Sequence, residues 1–268
     1  MSPRNEPLKQ SSLFGGTAAK TTSRKTTKRK LTVRSRAPAK TSRASPQPIT
    51  PAPGKKIWLS ATGLESQRRC PRCFWLRYNL KIYQPEGIVS RLANRYDVLV
   101  KKYFDLYRGT PDLPPLVAGH IHGRLESPFQ ETYFVTINQK YGYMGKLDEC
   151  VIGDDGRYIP VDHKTSSSDP KQKELIPAYQ FQLDSYAYLL RQNRKPPAEI
   201  GHLVYFYPGD GQALHEKFPM EVTVKTLPTN PERVRPAIDA AIKVLDGPLP
   251  TPAPDCPFCA YVETVKKF

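Results

Sequence analysis

The most informative segment of this 268-residue chain spans residues 143–165, with the sequence YMGKLDECVIGDDGRYIPVDHKT. Two runs with the residue types of β-strands flank a Gly-Asp-Asp-Gly sequence at 153–156. Such a sequence is typical of the turn between antiparallel strands. The segment is therefore predicted to form a hairpin of two strands, 143–152 and 157–165.

Two aspartates and a lysine occupy matching positions on this hairpin. Asp148 and Asp162 lie almost equally far from the turn, so they are expected to face one another. Side chains alternate along a strand, which places Lys164 on the side of Asp162 and turns His163 away. Opposed carboxylates repel unless a cation neutralises them, and oxygen ligands favour magnesium or manganese. Such a site can activate water to attack a phosphodiester.

A helix with apolar and aromatic residues at helical spacing is predicted at 177–192. Gln182 and Tyr186 are four residues apart, so they share one face of this helix. The amide and the phenol could contact a phosphate or the hairpin lysine. Alternatively, they form an ordinary helix face with the tyrosine in the core.

Together, Gly145-x-x-Asp148, Asp162-x-Lys164 and Gln182-x-x-x-Tyr186 resemble the RecB-like branch of the PD-(D/E)XK nuclease superfamily. This branch includes iron-sulfur nucleases of CRISPR adaptation and recombinational repair. The resemblance extends over residues 57–268. It implies an α/β fold with a restriction-endonuclease-like core, in which helices flank a mixed central sheet.

The resemblance also implies a role for each motif residue. Asp148 and Asp162 would be metal ligands, together with the backbone carbonyl of His163. Lys164 would be the catalytic lysine. Gln182 and Tyr186 would form the accessory motif.

One family feature is missing from the helix that precedes the hairpin. Many relatives carry a metal-binding histidine there, but residues 90–107 contain none. Asp97 is the residue best placed to replace it. A long amphipathic helix is predicted at about 89–107.

Four cysteines form two Cys-Pro-x-Cys pairs near the two ends of the predicted domain, Cys70/Cys73 and Cys256/Cys259. Paired cysteines with this spacing, in a chain without a secretory signal, are a metal-binding pattern. They predict a centre that joins the two ends of the domain. A 4Fe-4S cluster follows from the family resemblance, although relatives often divide their cysteines one and three. Zinc, which four thiolates can bind tetrahedrally, is one alternative, and four reduced cysteines that bind no metal are another.

Positive charge is concentrated in the first 56 residues. This segment holds fourteen Lys and Arg and one acid, so it carries +13 of the net charge of +16. Its Ser-, Thr-, Pro- and Ala-rich composition lacks the apolar residues needed for a core, so a disordered tail is expected. A basic arm of this kind binds nucleic acid through its phosphates. An import or targeting signal and a simple solubilising linker remain alternatives.

Residues 57–268 are numerous enough for one domain with a substantial core. Further helices are predicted at about 61–69, where Thr62 and Glu65 have capping-box spacing, and at 231–245. Further strands are predicted at about 133–137, 201–207 and 220–225. No apolar run has the length of a membrane span, so a soluble, cytoplasmic protein is expected.

The patterns favour a magnesium- or manganese-dependent DNA nuclease of repair, recombination or mobile-element processing. The family resemblance adds a helicase or integrase as an expected partner. The alternative is a non-catalytic nucleic-acid-binding module with a structural metal centre.

Overall fold

The computed structural model describes residues 55–85, 91–209 and 219–268. The predicted tail therefore lies outside the described residues, except for Lys55 and Lys56. The Lys56 ammonium donates to the backbone carbonyls of Asn138 and Gln139, and the first strand begins at Ile57. None of the described helices is long and apolar enough to cross a membrane.

The described residues form a mixed α/β fold of six α-helices and eight strands. In chain order these are β1 (Ile57–Leu59), α1 (Ala61–Arg69), α2 (Pro71–Leu80), α3 (Arg91–Asp105), β2 (Arg124–Leu125), β3 (Thr132–Thr136), β4 (Tyr141–Lys146), β5 (Glu149–Ile152), β6 (Tyr158–Thr165), α4 (Pro177–Gln192), β7 (Ile200–Pro208), β8 (Met220–Pro228), α5 (Val234–Asp246) and α6 (Pro257–Val265). A 3-10 turn, Pro231–Arg233, precedes α5.

The strands form two sheets, with strand orders β1-β4-β3 and β2-β5-β6-β7-β8. The β1–β4 and β6–β7 pairs are parallel and the other pairs are antiparallel, so both sheets are mixed. Helices flank these sheets, which confirms the predicted fold class.

The predicted strand 143–152 is wrong as a single element. It is broken at Leu147 and Asp148, so that β4 joins the three-stranded sheet and β5 joins the five-stranded one. The Leu147 side chain is fully buried, and its N–H donates to the carbonyl of Glu131 at 2.8 Å. The chain therefore changes sheets directly before Asp148, which lies at the junction.

The five-stranded sheet separates two hydrophobic cores. One core contains residues of α1, α4, α5 and the three-stranded sheet, including Leu64, Tyr143 and Leu189. The other contains Val100 and Phe104 of α3, packed with inward-facing residues of β5, β6 and β7. Successive residues of β6 therefore face α4 and α3 in turn.

One detail near the first helix differs from the sequence predictions. The N-cap of α1 is Ser60, whose hydroxyl accepts from the N–H of Gly63, so the predicted capping box at Thr62 and Glu65 is wrong. Glu65 instead forms ion pairs with Arg68 and Arg69. The cysteine-proline segment continues into α2 because a proline fits the first turn of a helix.

Candidate active site and cysteine centre

Four polar side chains form a closed ring where β6 meets α4, here called the polar ring. The Lys164 ammonium contacts the Asp162 carboxylate and donates to Gln182 Oε1 at 3.0 Å. Gln182 Nε2 donates to Tyr186 Oη at 2.6 Å, and Tyr186 Oη donates to Asp162 Oδ1 at 3.3 Å. The structure thus brings together Asp162, Lys164, Gln182 and Tyr186, whose catalytic roles stay predictions.

The helix and strand geometry explains how this ring forms. Gln182 and Tyr186 are one turn apart on α4, and Asp162 and Lys164 are two residues apart on β6, so each pair shares a face. Gly145 allows the close approach of β4 to α4, because a Cβ there would lie 2.5 Å from Leu189 Cδ1.

Burial controls the electrostatics of the ring. Asp162 is 1% exposed, and this burial raises its pKa to about 6, despite the opposing charge of Lys164. Burial also raises the pKa of the Tyr186 phenol well above its ordinary value. The ring therefore contains a neutral phenol and a carboxylate whose charge depends on the neighbouring ammonium.

Asp148 lies at the junction between β4 and β5. Its Oδ2 accepts from the backbone N–H of His163 at 3.0 Å, and its Oδ1 lies 2.8 Å from Lys101 Nζ. Burial would raise the Asp148 pKa, but the hydrogen bond and charge of Lys101 outweigh it and keep that pKa below its ordinary value. The β5–β6 ladder starts at the pair Glu149 and Val161, and extending this register by one residue places Asp148 opposite Asp162.

A second group of candidate metal ligands lies on the α3 side of β6. One side-chain ligand atom each of Asp97, Asp148 and His163 lies within 4.8 Å of the others. The Lys101 ammonium bonds both carboxylates, with 3.1 Å to Asp97 Oδ2. Asp162 is not a member of this group, because its side chain faces α4.

The imidazole of His163 is buried among apolar rings. Its centroid lies 4.9 Å from that of Phe104 and 5.8 Å from that of Phe206. Within the described part of the chain, neither ring nitrogen has a hydrogen-bond partner. Burial lowers the His163 pKa to about 4, so the imidazole is neutral and can offer a lone pair.

These donors fit a divalent cation. Two carboxylates supply hard oxygen ligands for magnesium or manganese, and the neutral imidazole can add a nitrogen ligand. Lys101 lies between the two carboxylates and would have to give way to the ion. Two expected metal ligands stay predictions, namely the backbone carbonyl of His163 and the carboxylate of Asp162.

The four paired cysteines cluster, as the fold prediction requires. Their sulfurs all lie within 4.8 Å of one another. The Sγ atom of Cys73 lies 3.6 Å from that of Cys259 and 3.7 Å from that of Cys256. The Sγ atoms of Cys70 and Cys259 lie 3.9 Å apart. Burial raises the pKa of Cys73 to about 11, so binding a metal there would release protons. The cluster joins the start of α2 to the start of α6.

The sulfur separations can be compared with those expected for the two predicted metal centres. A tetrahedral zinc site with Zn–S bonds of about 2.3 Å has sulfur–sulfur edges of about 3.8 Å. Three of the six sulfur–sulfur distances, 3.6 to 3.9 Å, have this length, and all six are within 4.8 Å. In a 4Fe-4S cluster each thiolate binds a different iron, which needs wider spacing. The fifth cysteine, Cys150, is buried and outside the cluster.

Two residues of the site were not found by sequence reasoning. Lys101 bonds Asp97 from one helical turn away, and this spacing is the only sequence feature that could have indicated it. Tyr179 places its ring 4.5 Å from the Lys164 ammonium, on the same helix as Gln182. Pairing across elements, as between Lys101 and Asp148, has no local sequence pattern.

Comparison with protein families gives a match to the PD-(D/E)XK nuclease superfamily over residues 114–264. The match covers more than half of the chain and includes the hairpin, α4 and both late cysteines. The chain therefore belongs to the PD-(D/E)XK nuclease superfamily. A comparison with curated protein sequences gave no match.

Three solved structures are similar to this chain. The protein SSO0001 is 21% identical, with a TM-score of 0.41 over 73% of this chain and 80% of its own. A phage-related exonuclease from Haemophilus somnus 129PT is 13% identical, with a TM-score of 0.40 over 66% and 79%. The alkaline exonuclease LHK-Exo from Laribacter hongkongensis is 10% identical, with a TM-score of 0.39 over 78% and 91%.

Proposed function

We propose that this protein is a magnesium- or manganese-dependent DNA nuclease of the RecB-like branch. The observation that carries the proposal is the closed polar ring of Asp162, Lys164, Gln182 and Tyr186 beside the Asp97, Asp148 and His163 group. An ion pair with a purely structural role would need only two of these residues. This chain belongs to a nuclease superfamily, and seven polar side chains lie on the two sides of β6.

In this proposal Lys164 acts on the scissile phosphate. Its ammonium has three N–H donors; it donates one to Gln182 Oε1 and forms an ion pair with the Asp162 carboxylate. A further N–H donor would bind a phosphate oxygen or the attacking water. Donors held in place before the reaction stabilise the negative charge that develops in the transition state. Gln182, Tyr186 and the Tyr179 ring fix the ammonium at this position.

Asp97, Asp148 and His163 would hold the divalent cation. When bound, this ion supplies charge neutralisation at the phosphate and lowers the pKa of a water molecule. The backbone N–H of His163 holds Asp148 in a fixed orientation. In the overall reaction, the water oxygen joins phosphorus, the ester P–O bond breaks and the leaving oxygen takes a proton.

We also propose that the cysteine centre holds zinc rather than a 4Fe-4S cluster. The proposal rests on the sulfur separations of 3.6 to 3.9 Å. Two further contacts hold the same ends together, since Trp75 Nε1 donates to the Gly247 carbonyl and Asn79 Nδ2 to the Leu245 carbonyl. The centre therefore has a structural role in this account. A repair or recombination pathway, a helicase or integrase partner and a cytoplasmic location stay predictions.

The test is cleavage of end-labelled linear DNA and of circular DNA with magnesium, manganese or EDTA. Wild type is compared with Asp148→Asn and with the control Asp154→Asn, which changes an exposed aspartate in the β5–β6 turn. The proposal predicts metal-dependent cutting that Asp148→Asn loses by at least about 100-fold. Equal cutting by both variants would contradict it. Cutting of the circular substrate would identify an endonuclease.

The second candidate is the non-catalytic binding module. It is favoured by Lys101, whose ammonium already neutralises Asp97 and Asp148 without a metal. This candidate predicts that wild type binds DNA but leaves it intact in every metal. It also predicts that Asp148→Asn binds DNA as tightly as wild type does.

A further inference from the structure

The strand β8 forms one edge of the five-stranded sheet. It is nine residues long, Met220–Pro228, and it pairs antiparallel with β7 along its whole length. In the described part of the chain, no strand pairs with its other side. Such an edge presents N–H and C=O groups to which a strand of another chain can bond, and proteins usually keep edge strands short. A nine-residue edge therefore needs an explanation.

The hydrogen bonds at the two ends of the β7–β8 ladder show which backbone groups of β8 face outward. The Gly209 N–H donates to the Pro219 carbonyl, and the Thr229 N–H donates to the Glu199 carbonyl. Hydrogen-bonded and non-hydrogen-bonded residue pairs alternate along antiparallel strands, so the odd-numbered residues of β8 bond β7. The even-numbered residues direct their N–H and C=O groups to the free side, and they are Met220, Val222, Val224 and Thr226.

The sequence of β8 is complementary to itself when two copies are aligned antiparallel about Thr223. In this register Glu221 lies opposite the partner's Lys225, Val222 lies opposite the partner's Val224, and the two threonines face one another. Opposite charges, β-branched residues and threonines are each favourable pairs across antiparallel strands. A shift of two residues in either direction would place both charged residues opposite uncharged ones. The charges therefore select one register.

The same register also satisfies the outward backbone groups. Val222 meets the partner's Val224, and Met220 meets the partner's Thr226, so outward N–H and C=O groups face one another. Each of these pairs occurs twice and exchanges two bonds, which gives about eight backbone hydrogen bonds. Val222 and Val224 are half-buried at the margin of the core on the α3 side, and a second strand would cover them further.

The two charged side chains can take part without losing their present contacts. Glu221 is exposed, and its Oε2 accepts from the Tyr207 phenol at 3.2 Å. The Lys225 ammonium donates to the Lys173 carbonyl at 3.1 Å. An ammonium has three donors and a carboxylate accepts several bonds, so each group can add a partner. Both residues lie in non-hydrogen-bonded pairs, where opposed side chains are closest.

We propose that two copies of this chain form a symmetric dimer by pairing their β8 strands antiparallel about Thr223. The contact uses the same strand of both copies, so it closes with two-fold symmetry. The two sheets join into one continuous sheet, with the two-fold axis perpendicular to it. Both polar rings then lie on the same side of this sheet, about 24 Å apart across the strands. The dimer itself does not depend on the proposed nuclease function.

The experiment is sedimentation velocity of the full chain, freed of nucleic acid, at about 1 to 100 μM in about 0.15 M salt. The variants are Glu221→Lys, Lys225→Glu and the double variant that exchanges the two charges. The two single variants are also measured as an equimolar mixture. Glu199→Lys and Lys243→Glu are the matched controls, because they reverse exposed charges outside β8.

The two single variants are expected to raise the dimer Kd at least about tenfold, because two opposite-charge pairs become two like-charge pairs. The double variant should dimerise as wild type does. The mixture should also dimerise, since the lysines of one chain then face the glutamates of the other. Both controls should keep the wild-type Kd.

A second variant tests the backbone pairing. Val224→Pro removes an N–H that faces the free side and leaves the bonds to β7 intact, so it should prevent dimerisation with little change in the thermal midpoint. Thermal unfolding of every variant shows that it is folded.

The proposal is overturned if wild type stays monomeric at about 100 μM, or if the dimer persists in both single variants. It is also overturned if the mixture stays monomeric. DNA cleavage does not enter these measurements, so the dimer and the nuclease function can fail separately.

Discussion

At the scale of the residue, the phenol of Tyr186 connects the two parts of the polar ring. It receives a hydrogen bond from Gln182 and donates one to Asp162. Tyr186→Phe is expected to reduce the single-turnover cleavage rate about tenfold, because one hydrogen bond to the buried carboxylate is lost. Tyr141→Phe is the matched control, since it removes a phenol bonded to Asp246 at 2.8 Å outside the site. Equal rates for the two variants would show that the phenol has no positioning role.

His202 predicts how stability depends on pH. Its side chain is buried on β7, with Nδ1 3.0 Å from Thr226 Oγ1, and burial together with the charge of His122 lowers its pKa to about 4. Since the unfolded pKa is about 6.5, the unfolded chain binds the proton first as the pH falls. The stabilisation is complete above pH 6.5 and is lost as the pH falls towards 4.

Between pH 7 and pH 4.5 this histidine is expected to lower the free energy of unfolding by about 2 to 3 kcal/mol. Urea unfolding of wild type and His202→Gln at both pH values measures the difference. The variant should lose less stability on acidification than wild type does. An identical loss in both proteins would exclude His202 as the cause.

Residue patterns in the sequence indicated the polar ring because each of its pairs is local. Asp162 and Lys164 share a strand face, and Gln182 and Tyr186 share a helix face. The role of Lys101 could not be predicted, because its contact with Asp148 depends on how α3 packs against β6. The neutral imidazole of His163 likewise results from packing by Phe104 and Phe206.

At the scale of the element, the break between β4 and β5 decides where Asp148 lies. Residue types typical of strands continue through this break in the sequence, which is why the sequence predicts a single strand. The register between β5 and β6 agrees with the predicted hairpin, because the Gly-Asp-Asp-Gly turn is a local pattern. The helices α1 and α4 have the predicted bounds, since the apolar periodicity that predicts them is also a local pattern.

Two glycines with positive φ give a prediction about these strands. Gly156, in the β5–β6 turn, has a φ of 77° and no atom within 4 Å of an added Cβ. Gly123, before β2, has a φ of 113°, and an added Cβ would lie 2.3 Å from the Ile152 carbonyl oxygen. Gly156→Ala should cost about 1 kcal/mol of unfolding free energy, from backbone strain alone.

Gly123→Ala should cost more than about 3 kcal/mol, because the strain is joined by a clash with backbone that cannot rotate away. Denaturant unfolding of both variants measures the two costs. If both variants lost a similar free energy of unfolding, the backbone of β2 and β5 would have moved to relieve the clash at Gly123, which would contradict this prediction.

At the scale of the whole molecule, the cysteine centre joins segments that are far apart in the chain. The sequence predicted this junction from two Cys-Pro-x-Cys pairs, but the separation of the sulfurs depends on how α2 and α6 meet. That separation is the basis of the proposal that the centre holds zinc. Protein purified without oxygen should therefore contain about one zinc per chain and lack the visible absorption of an iron-sulfur cluster.

Cys73→Ala should release the metal and lower the thermal midpoint, while Cys150→Ala should retain the metal. Elemental analysis and thermal unfolding give both results. A brown protein with about four irons per chain would contradict the zinc assignment and leave the nuclease proposal intact.

We propose that Lys164 in the polar ring stabilises the transition state of phosphodiester hydrolysis. The single-turnover cleavage rate of Lys164→Met, measured with saturating manganese and DNA and compared with that of Lys173→Met, tests this role. Lys173 is a matched control, because its ammonium contacts Ser166 near the end of the same strand. A loss of at least about 100-fold is expected for Lys164→Met and little change for Lys173→Met. A Lys164→Met rate equal to that of wild type would contradict it.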